Sequence, residues 1–272
     1  MPELPEVETT RRSLEPALVG RRVERVIVRD RRLRWTVPRE LEAKLTGAVI
    51  IATSRRAKYL LVDTDRGHVI VHLGMSGSLS IVARNTQPRL HDHIDVELDV
   101  GTLLRFHDPR RFGSWHWMDG DPVAHPLLAA LAPEPLTDAF DGQYLHAVTR
   151  GRSAAIKQVL MNGTLVTGVG NIYASEALHR AAINPKTAAR RLSQARCNRL
   201  ADAVKETLAR AIAAGGSTLR DYVDGHGNPG YFQQEYAVYE RAGEACPRCG
   251  ATVKGFRQGQ RSTYYCPGCQ RA

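Results

Sequence analysis

CPRC at residues 246–249 and CPGC at residues 266–269 lie at the end of this 272-residue chain, with sixteen residues between the two pairs of cysteines. This spacing is typical of a zinc ribbon, in which two tight turns direct four thiolates at one metal ion. Disulfides are the alternative, and a reducing compartment disfavours them. The pattern predicts one structural Zn²⁺ per chain, with the ligands Cys246, Cys249, Cys266 and Cys269.

The region before the ribbon has a helical period. Apolar spacing predicts helices over residues 154–161, 170–182 and 193–214, the last ending at a Gly-Gly pair. One face of the third helix is predicted to be buried, and it consists of Cys197, Leu200, Val204, Leu208 and Ala211. Residues 217–235 contain several turn residues and little apolar periodicity, which predicts a mobile loop.

The first part of the chain has a β pattern after one helix. Apolar residues on one face and a proline in the first turn predict a helix over residues 3–18. Short alternating runs separated by turn residues then predict a sandwich or barrel. The predicted strands are 23–28, 48–54, 59–62, 68–72, 78–82, 94–98, 103–106 and 114–118. A proline-rich segment at 120–136 is predicted to be a linker.

Composition narrows the class of protein. The formal net charge is +10, from 38 Lys and Arg against 28 Asp and Glu. This favours a polyanionic partner, with nucleic acid foremost, although a charged surface that only keeps the protein soluble is the alternative. No apolar run approaches the ~20 residues that span a bilayer. The acidic, proline-rich start is unlike a secretory signal, so we predict a soluble intracellular protein without membrane contact.

Pro2 and Glu3 are candidates for chemistry. If Met1 is removed, the chain begins with a secondary amine next to a carboxylate. An α-amino group titrates near pKa ~8, against ~10.4 for lysine, so more of it is able to attack a carbon electrophile at neutral pH. A secondary amine also forms a cationic iminium, which accepts electrons. An ordinary exposed terminus is the alternative.

Two further segments could bind a polyanion. The glycine-rich connection before Asn171 leads into a helix N-terminus, where free N–H groups and nearby Lys157 favour phosphate, although plain helix packing is the alternative. The loop at 108–113 places Arg110 beside Phe112, a pair suited to insertion into a duplex. Met75 lies on another glycine-rich turn, with core filling as its alternative.

His91 and His93 have the spacing of a ligand pair on one strand face. No third ligand is evident in the sequence around them. We therefore do not predict a metal site there.

These motifs together resemble one family. The stretches PELPEVE (2–8), KYL (58–60), HLGMSG (72–77), DPRRFG (108–113) and GVGNIYASE (168–176), followed by the cysteine ribbon, closely resemble the bacterial formamidopyrimidine-DNA glycosylases. The match runs in the same order from Pro2 to Cys269.

The resemblance implies an α+β multidomain fold. Four regions are expected. Residues 1–119 form a β-sandwich catalytic domain that carries the N-terminal helix, and residues 120–136 form the linker. Residues 137–235 form a helix–two-turn–helix domain that includes the lesion-capping loop 217–235, and residues 236–272 form a zinc finger. It also implies a bacterial cytoplasmic, nucleoid-associated monomer. The expected partner is double-stranded DNA containing oxidised purines or abasic sites.

The resemblance also implies an activity, excision of 8-oxoguanine and formamidopyrimidines followed by strand cleavage. Pro2 is implied as the nucleophile that forms a Schiff base and Glu3 as the proton donor and acceptor. Lys58 and Arg261 are implied as further catalytic residues that contact phosphate. β- and δ-elimination would then cut the strand.

The remaining implied roles concern DNA binding. His91, Lys157 and Asn171 are implied as DNA contacts, and Met75, Arg110 and Phe112 as the residues that fill the vacated base stack, with Arg110 facing the orphaned cytosine. Two alternatives stay open here. One is an endonuclease VIII-like enzyme for oxidised pyrimidines, and the other is a catalytically silent DNA-binding module.

Overall fold

The computed structural model describes residues 2–218 and 224–271. The chain divides into two compact units, Met1–Ala129 with Ala214–Tyr231, and Ala130–Ala213 with Phe232–Ala272. Residues 214–231 thus group with the first unit, whereas the loop 217–235 is predicted above as part of the helical domain. Positions 219–223 of that loop lie outside the described residues.

The first unit begins with α1 (Leu4–Leu18). Glu3 precedes it as the N-cap residue, and a proline occupies the first turn, where its missing N–H leaves no hydrogen bond unmade. The predicted apolar face is buried and consists of Leu4, Val7, Leu14 and Leu18. The helix therefore packs as its sequence pattern predicts.

Eight strands and one short helix follow α1. They are β1 (Val23–Val28), α2 (Leu41–Leu45), β2 (Ile50–Arg56), β3 (Tyr59–Thr64), β4 (Gly67–His72), β5 (Ser78–Ala83), β6 (Asp92–Leu98), β7 (Thr102–His107) and β8 (Ser114–Met118). Each predicted strand is present, with ends that differ by at most two residues.

The strands form two antiparallel four-stranded sheets, in the orders β1-β6-β7-β5 and β2-β3-β4-β8. Buried side chains of both sheets, of α1 and of α2 belong to one apolar cluster. Phe106 of β7 and Trp115 of β8 meet in this cluster at 5.8 Å between ring centroids. Two sheets that share a core make a sandwich, which confirms the predicted fold class.

The end of this stretch and the second unit are mainly helical. A 3₁₀ turn (Pro122–Ala124) and α3 (Pro126–Ala129) lie in the predicted linker. The second unit then contains α4 (Gly142–Thr149), α5 (Ile156–Leu160), α6 (Asn171–Arg180) and α7 (Gln194–Ala213). Two 3₁₀ turns (Ala189–Arg191 and Phe232–Glu235) and the hairpin β9 (Lys254–Gln258) and β10 (Arg261–Tyr265) complete it.

The helices position the segments that the sequence singles out. α5 and α6 flank the glycine-rich connection, and the predicted stripe of α7 is buried from Cys197 to Ala211. No helix within residues 2–218 and 224–271 is both long and apolar enough to cross a membrane.

Candidate active site and zinc centre

Pro2 and Glu3 lie at the N-terminus of α1 and both are buried, Glu3 to 3% exposure. A reciprocal capping box holds them: the Glu3 side chain accepts from the backbone N–H of Glu6, and the Glu3 N–H donates to Glu6 Oε2 at 2.8 Å. The backbone next to the Pro2 nitrogen is therefore fixed by the helix that follows it.

Glu6 is a site residue that the sequence reasoning missed. Its side chain is 2% exposed, and its second oxygen, Oε1, accepts from the backbone N–H of Ser217 at 2.8 Å. The carboxylate thus joins the start of α1 to the beginning of the predicted loop. The spacing of Glu3 and Glu6 is that of a capping box, and it could have indicated the contact of Glu6 with Glu3 but not its contact with Ser217.

A second carboxylate attaches α1 to β2. Glu8 accepts hydrogen bonds from Arg11 and Arg12, and Arg55 of β2 lies 3.3 Å from Glu8 Oε2. Burial alone would raise the pKa of the Glu8 carboxyl, but the hydrogen bonds from Arg11 and Arg12 outweigh burial and lower it. Glu8 therefore stays ionised and holds the helix on the sheet that carries Lys58.

Lys58 is half-buried in the tight turn between β2 and β3, directly after Ala57, whose φ is +55°. Burial, followed by the positive charges of Lys58 and Arg34, lowers the pKa of nearby His72 to about 4. His72 is therefore neutral at pH 7, and its Nδ1 accepts from the Gly74 N–H at 3.0 Å. The imidazole on which the Lys58 charge acts therefore carries no positive charge of its own at pH 7.

Met75, Arg110 and Phe112 lie on two loops of the first unit. Met75 is half-buried, whereas Arg110 is exposed and Phe112 is 43% exposed. The guanidinium carbon of Arg110 lies 4.9 Å from the centroid of the Phe112 ring, a cation–π contact. An exposed aromatic ring covered by a cation is suited to stacking against bases.

His91 is half-buried and has a φ of +75°. Its ring lies 6.1 Å from the His93 ring and 6.2 Å from the His107 ring, between centroids. His93 Nε2 bonds to the Asp108 carbonyl and His107 Nδ1 to Asp92, so these nitrogens are committed to protein partners. Among the described residues, the four cysteines are the only group of three or more His, Cys, Asp or Glu side chains close enough together to hold a metal ion.

Lys157 of the second unit is 1% exposed. Its ammonium donates to Asn171 Oδ1 at 2.7 Å, to the Ser262 carbonyl at 3.0 Å and to Thr263 Oγ1 at 2.8 Å. A buried cation needs such partners. Lys157 therefore connects α5 with the start of α6 and with β10, an arrangement that its sequence position did not predict.

Arg261 is exposed at the start of β10. The preceding residues Gly259 and Gln260 both have positive φ, +53° and +62°, as a two-residue hairpin turn requires. Arg261 pairs with Gln258 across the hairpin, and its strand neighbour Ser262 accepts from Lys157. The hairpin thus presents Arg261 next to a fixed backbone.

The four predicted zinc ligands cluster in the second unit, with all sulfurs within 4.8 Å of one another. The Cys249 and Cys266 sulfurs are 3.4 Å apart, and those of Cys246 and Cys269 are 3.9 Å apart. These separations exclude a ~2.05 Å disulfide bond. Tetrahedral zinc with bonds of about 2.3 Å places its sulfurs about 3.8 Å apart, so the residues fit the metal.

Two side chains outside the ligand set support this cluster. Nε2 of buried His179, on α6, lies 3.4 Å from Cys246 Sγ. Gln270 is fully buried, accepts from the Cys266 N–H at 2.8 Å and donates to the Ile183 carbonyl at 2.9 Å. Hydrogen bonds to ligands orient them and tune the metal, and the sequence spacing did not reveal either residue.

These features define a class of protein: a β-sandwich with Pro2 and Glu3 at a buried helix N-terminus, a unit with two helices around a glycine-rich turn, and a four-thiolate zinc finger. Three family models match successive parts of the chain. They are the formamidopyrimidine-DNA glycosylase N-terminal domain at residues 1–115, the formamidopyrimidine-DNA glycosylase H2TH domain at residues 131–223, and a zinc finger found in FPG and IleRS at residues 243–272. The chain belongs to the formamidopyrimidine-DNA glycosylase family.

Relatives from bacteria are similar over their whole length. The formamidopyrimidine-DNA glycosylase of Xanthomonas axonopodis pv. citri (strain 306) is 57% identical over 272 residues, and that of Pseudomonas aeruginosa (strain LESB58) is 56% identical over 271 residues, with 100% of both chains covered in each case. The relatives do not favour the endonuclease VIII-like or the silent-module alternative.

Solved structures agree with the fold. Lactococcus lactis Fpg in complex with abasic-site DNA is 36% identical, with a TM-score of 0.93 and 100% of both chains covered. MutM (Fpg) from Thermus thermophilus is 40% identical, with a TM-score of 0.87 and 99% and 98% coverage of this chain and that one. The predicted fold and family are confirmed.

Proposed function

We propose that this chain is a bifunctional DNA glycosylase and abasic-site lyase of base excision repair that excises 8-oxoguanine and formamidopyrimidines from double-stranded DNA. The observation that carries the proposal is the buried pair Pro2 and Glu3 in the capping box of α1. Complexes of the Lactococcus lactis relative with DNA containing Fapy-dG or an abasic site support the same substrate class. We place its action in the bacterial cytoplasm at the nucleoid, as a monomer.

The first step is base excision. The damaged nucleotide leaves the stack, because its C1′ cannot be reached inside a duplex. With Met1 removed, the lone pair of the Pro2 nitrogen forms a bond to C1′, the bond from C1′ to the base breaks, and the base leaves with that electron pair and a proton. Glu3 protonates O4′, the C1′–O4′ bond opens, and C1′ and Pro2 form an iminium.

Strand cleavage follows from the iminium. Its positive nitrogen acidifies the C2′ proton, whose removal gives an enamine. The electron pair then expels the 3′ phosphate in the β-elimination, and a second proton loss expels the 5′ phosphate in the δ-elimination. Water hydrolyses the remaining iminium and regenerates the Pro2 amine. The product is a one-nucleoside gap with phosphates on both ends.

The other catalytic and DNA-binding residues act on phosphate. Lys58 and Arg261 contact the phosphates beside the lesion and assist elimination, while His91 and Asn171 hold the backbone. The buried position of Lys157 and its contact with Asn171 Oδ1 support a contribution to DNA binding through Asn171.

Three residues replace the extruded nucleotide. Met75, Arg110 and Phe112 fill the vacated stack, and Arg110 reads the orphaned cytosine. A guanidinium that reads cytosine disfavours adenine, opposite which excision would fix a mutation. The zinc ion, when bound, maintains the finger, since four thiolates leave no position for water or substrate.

Borohydride trapping on duplexes that contain 8-oxoguanine, oxidised pyrimidines or an abasic site tests the proposal. We expect a covalent adduct at Pro2 and a preference for the oxidised purine. Pro2→Gly and Glu3→Gln should lower excision about 10³-fold or more while DNA binding survives, and the exposed Glu40→Gln is the matched control. Binding without an adduct would favour the silent module, and a preference for pyrimidines would favour the endonuclease VIII-like enzyme.

A further inference from the structure

Two loops of the first unit, the Met75 loop (residues 73–77) and the Arg110 loop (residues 108–113), touch through their backbones. A Cβ on Gly74, whose φ is +68°, would lie 2.3 Å from the carbonyl carbon of Phe112 and 2.4 Å from the Gly113 nitrogen. Real Cβ atoms do not approach other atoms so closely. Only glycine therefore allows this contact, and the loops pack with no side chain between them.

The carboxylate of Asp108 connects the two loops. Its side chain is fully buried. Oδ1 accepts from the Ser76 hydroxyl at 2.8 Å, and Oδ2 accepts from the Gly113 N–H at 2.8 Å. The Arg110 N–H donates in turn to the Ser76 oxygen at 3.3 Å. One carboxylate thus binds one donor from each loop, and charge-assisted hydrogen bonds of this kind are the strong ones.

Asp108 is itself held by its backbone. Its N–H donates to the His91 carbonyl at 3.0 Å, and its carbonyl accepts from His93 Nε2–H at 2.9 Å and from the Arg111 N–H at 3.2 Å. His93 lies on β6, so these bonds anchor the Arg110 loop to the sandwich. The carboxylate then extends the same anchor to the Met75 loop.

The side chains at the loop tips contrast with this buried connection. Arg110 is exposed, Phe112 is 43% exposed and Met75 is half-buried. Exposed tips on loops that were joined only by the chain would sample many geometries. If the tips became ordered only on binding, DNA affinity would fall, and so would the discrimination between cytosine and adenine opposite the lesion.

We propose that Asp108 is a positioning residue that, with Ser76, holds Met75, Arg110 and Phe112 as one rigid unit and thereby sets discrimination of the base opposite the lesion. The identity of the lesion and of the base opposite it rests on the proposed function. Asp108 contacts neither the reacting sugar nor the base in this scheme. Its effect reaches DNA through the geometry of Arg110 and Met75.

The test compares Ser76→Ala and Asp108→Asn with wild type. Alanine removes the hydroxyl donor, and asparagine replaces one acceptor oxygen with an NH₂ group that faces a donor. Ser80→Ala, on β5 outside both loops, makes the same chemical change as a control. For each protein we would measure excision rates opposite cytosine and opposite adenine, and the fluorescence of 2-aminopurine at the orphaned position.

We expect the cytosine-to-adenine preference to fall about tenfold in Asp108→Asn and severalfold in Ser76→Ala, the scale of one charge-assisted hydrogen bond. Ser80→Ala should match wild type. Adduct formation with a preformed abasic site should change less than twofold, because Asp108 does not contact the reacting sugar. A loss of folded protein would instead lower both readouts equally. If Asp108→Asn does not fold, Ser76→Ala carries the test, and an unchanged preference in it overturns the proposal.

A readout without DNA separates this inference from the proposed function. Hydrogen exchange of the Gly113 amide should be slow in wild type and at least tenfold faster in Asp108→Asn. A wild type that forms no adduct would count against the proposed function alone. Wild-type activity with equal Gly113 exchange in both proteins would count against the role of Asp108 alone.

Discussion

The β-sandwich and the zinc ribbon hold their functional residues by opposite means. In the sandwich, side chains from both sheets and two helices form one buried apolar cluster. In the ribbon, the buried cluster consists of Val238, Cys246, Val253 and Cys266, and two of these are zinc ligands. The sandwich therefore depends on many small contributions, and the ribbon on one large contribution from a metal.

The largest effect is expected from removing a zinc ligand. Cys249→Ser should lose the metal, unfold the ribbon and abolish DNA binding, because structural zinc contributes about 10 kcal/mol or more to such small folds. The thermal transition of the sandwich should persist. Zinc content, DNA affinity and calorimetry measure these effects.

Cys197→Ser is the matched control for this prediction, since Cys197 is buried on α7 outside the cluster. It should retain one zinc per chain. A Cys249→Ser protein that binds DNA as tightly as the control would contradict the prediction.

Lys157 tests whether the hairpin has a support other than zinc. Lys157→Met should destabilise the second unit by about 3 kcal/mol, because it leaves the acceptors on Asn171, Ser262 and Thr263 without this buried donor. Chemical denaturation monitored by zinc release would show this. Lys205→Met, at a partly exposed position on α7, is the control and should cost less than 1 kcal/mol.

An unchanged denaturation midpoint with weakened DNA binding would contradict that prediction. It would mean that the Lys157 ammonium leaves its buried partners and contacts phosphate directly. DNA affinity measured across a salt series would then lose about one unit of slope.

His72 offers a test on the sandwich side. Burial, with the charges of Lys58 and Arg34, lowers the pKa of His72 to about 4 from its ordinary 6.5. Between these values the unfolded chain binds a proton that the folded chain does not, so stability is present above pH 6.5 and falls as the pH drops towards 4. At pH 4.5 the protonation of His72 in the unfolded chain lowers the unfolding free energy by about 2.5 kcal/mol relative to pH 7.

His72→Gln should therefore make the unfolding free energy less dependent on pH in this window, while keeping an acceptor for the Gly74 N–H. Denaturation at pH 7.0, 6.0, 5.0 and 4.5 measures the slope. Parallel slopes for wild type and variant would show that His72 does not carry this pH dependence.

The smallest expected effect concerns the ribbon again. His179→Phe keeps an aromatic ring but removes the imidazole nitrogen that contacts Cys246 Sγ. Zinc affinity should therefore fall about tenfold. Chelator competition gives the affinity, and His146→Phe on α4 is the control. If zinc affinity in His179→Phe equals that of the control, the contact has no part in holding the metal.

Local patterns explain what the sequence predicted well. The strands from β1 to β8 follow alternation and turn residues, and the α7 stripe follows a 3.6-residue period, so each depends on neighbours a few positions away. The short helices α2 and α4 were not predicted, whereas α5, which is also five residues long, was. Asp141, which caps α4 through the Tyr144 N–H, was the available signal.

The residues of the candidate site also fall into those that the sequence could identify and those that it could not. Pro2, Glu3 and the four cysteines could be named from their positions and spacing, and the structure groups the cysteines as expected. Roles of Glu6, Asp108 and His179 could not, because their partners lie as far away as Ser217, 211 positions from Glu6. Hydrogen bonds over such separations leave no periodic trace in the sequence.

Residue type and short-range spacing were sufficient for the family, the order of β1 to β8 and of the helices α1, α5, α6 and α7, the zinc ligands and the candidate nucleophile. The burial of particular charged groups, in contrast, follows from the tertiary structure. Lys58 is half-buried in a turn and Lys157 is enclosed by Asn171, Ser262 and Thr263. A charge can be buried only where folding brings it partners, and these come from distant parts of the chain.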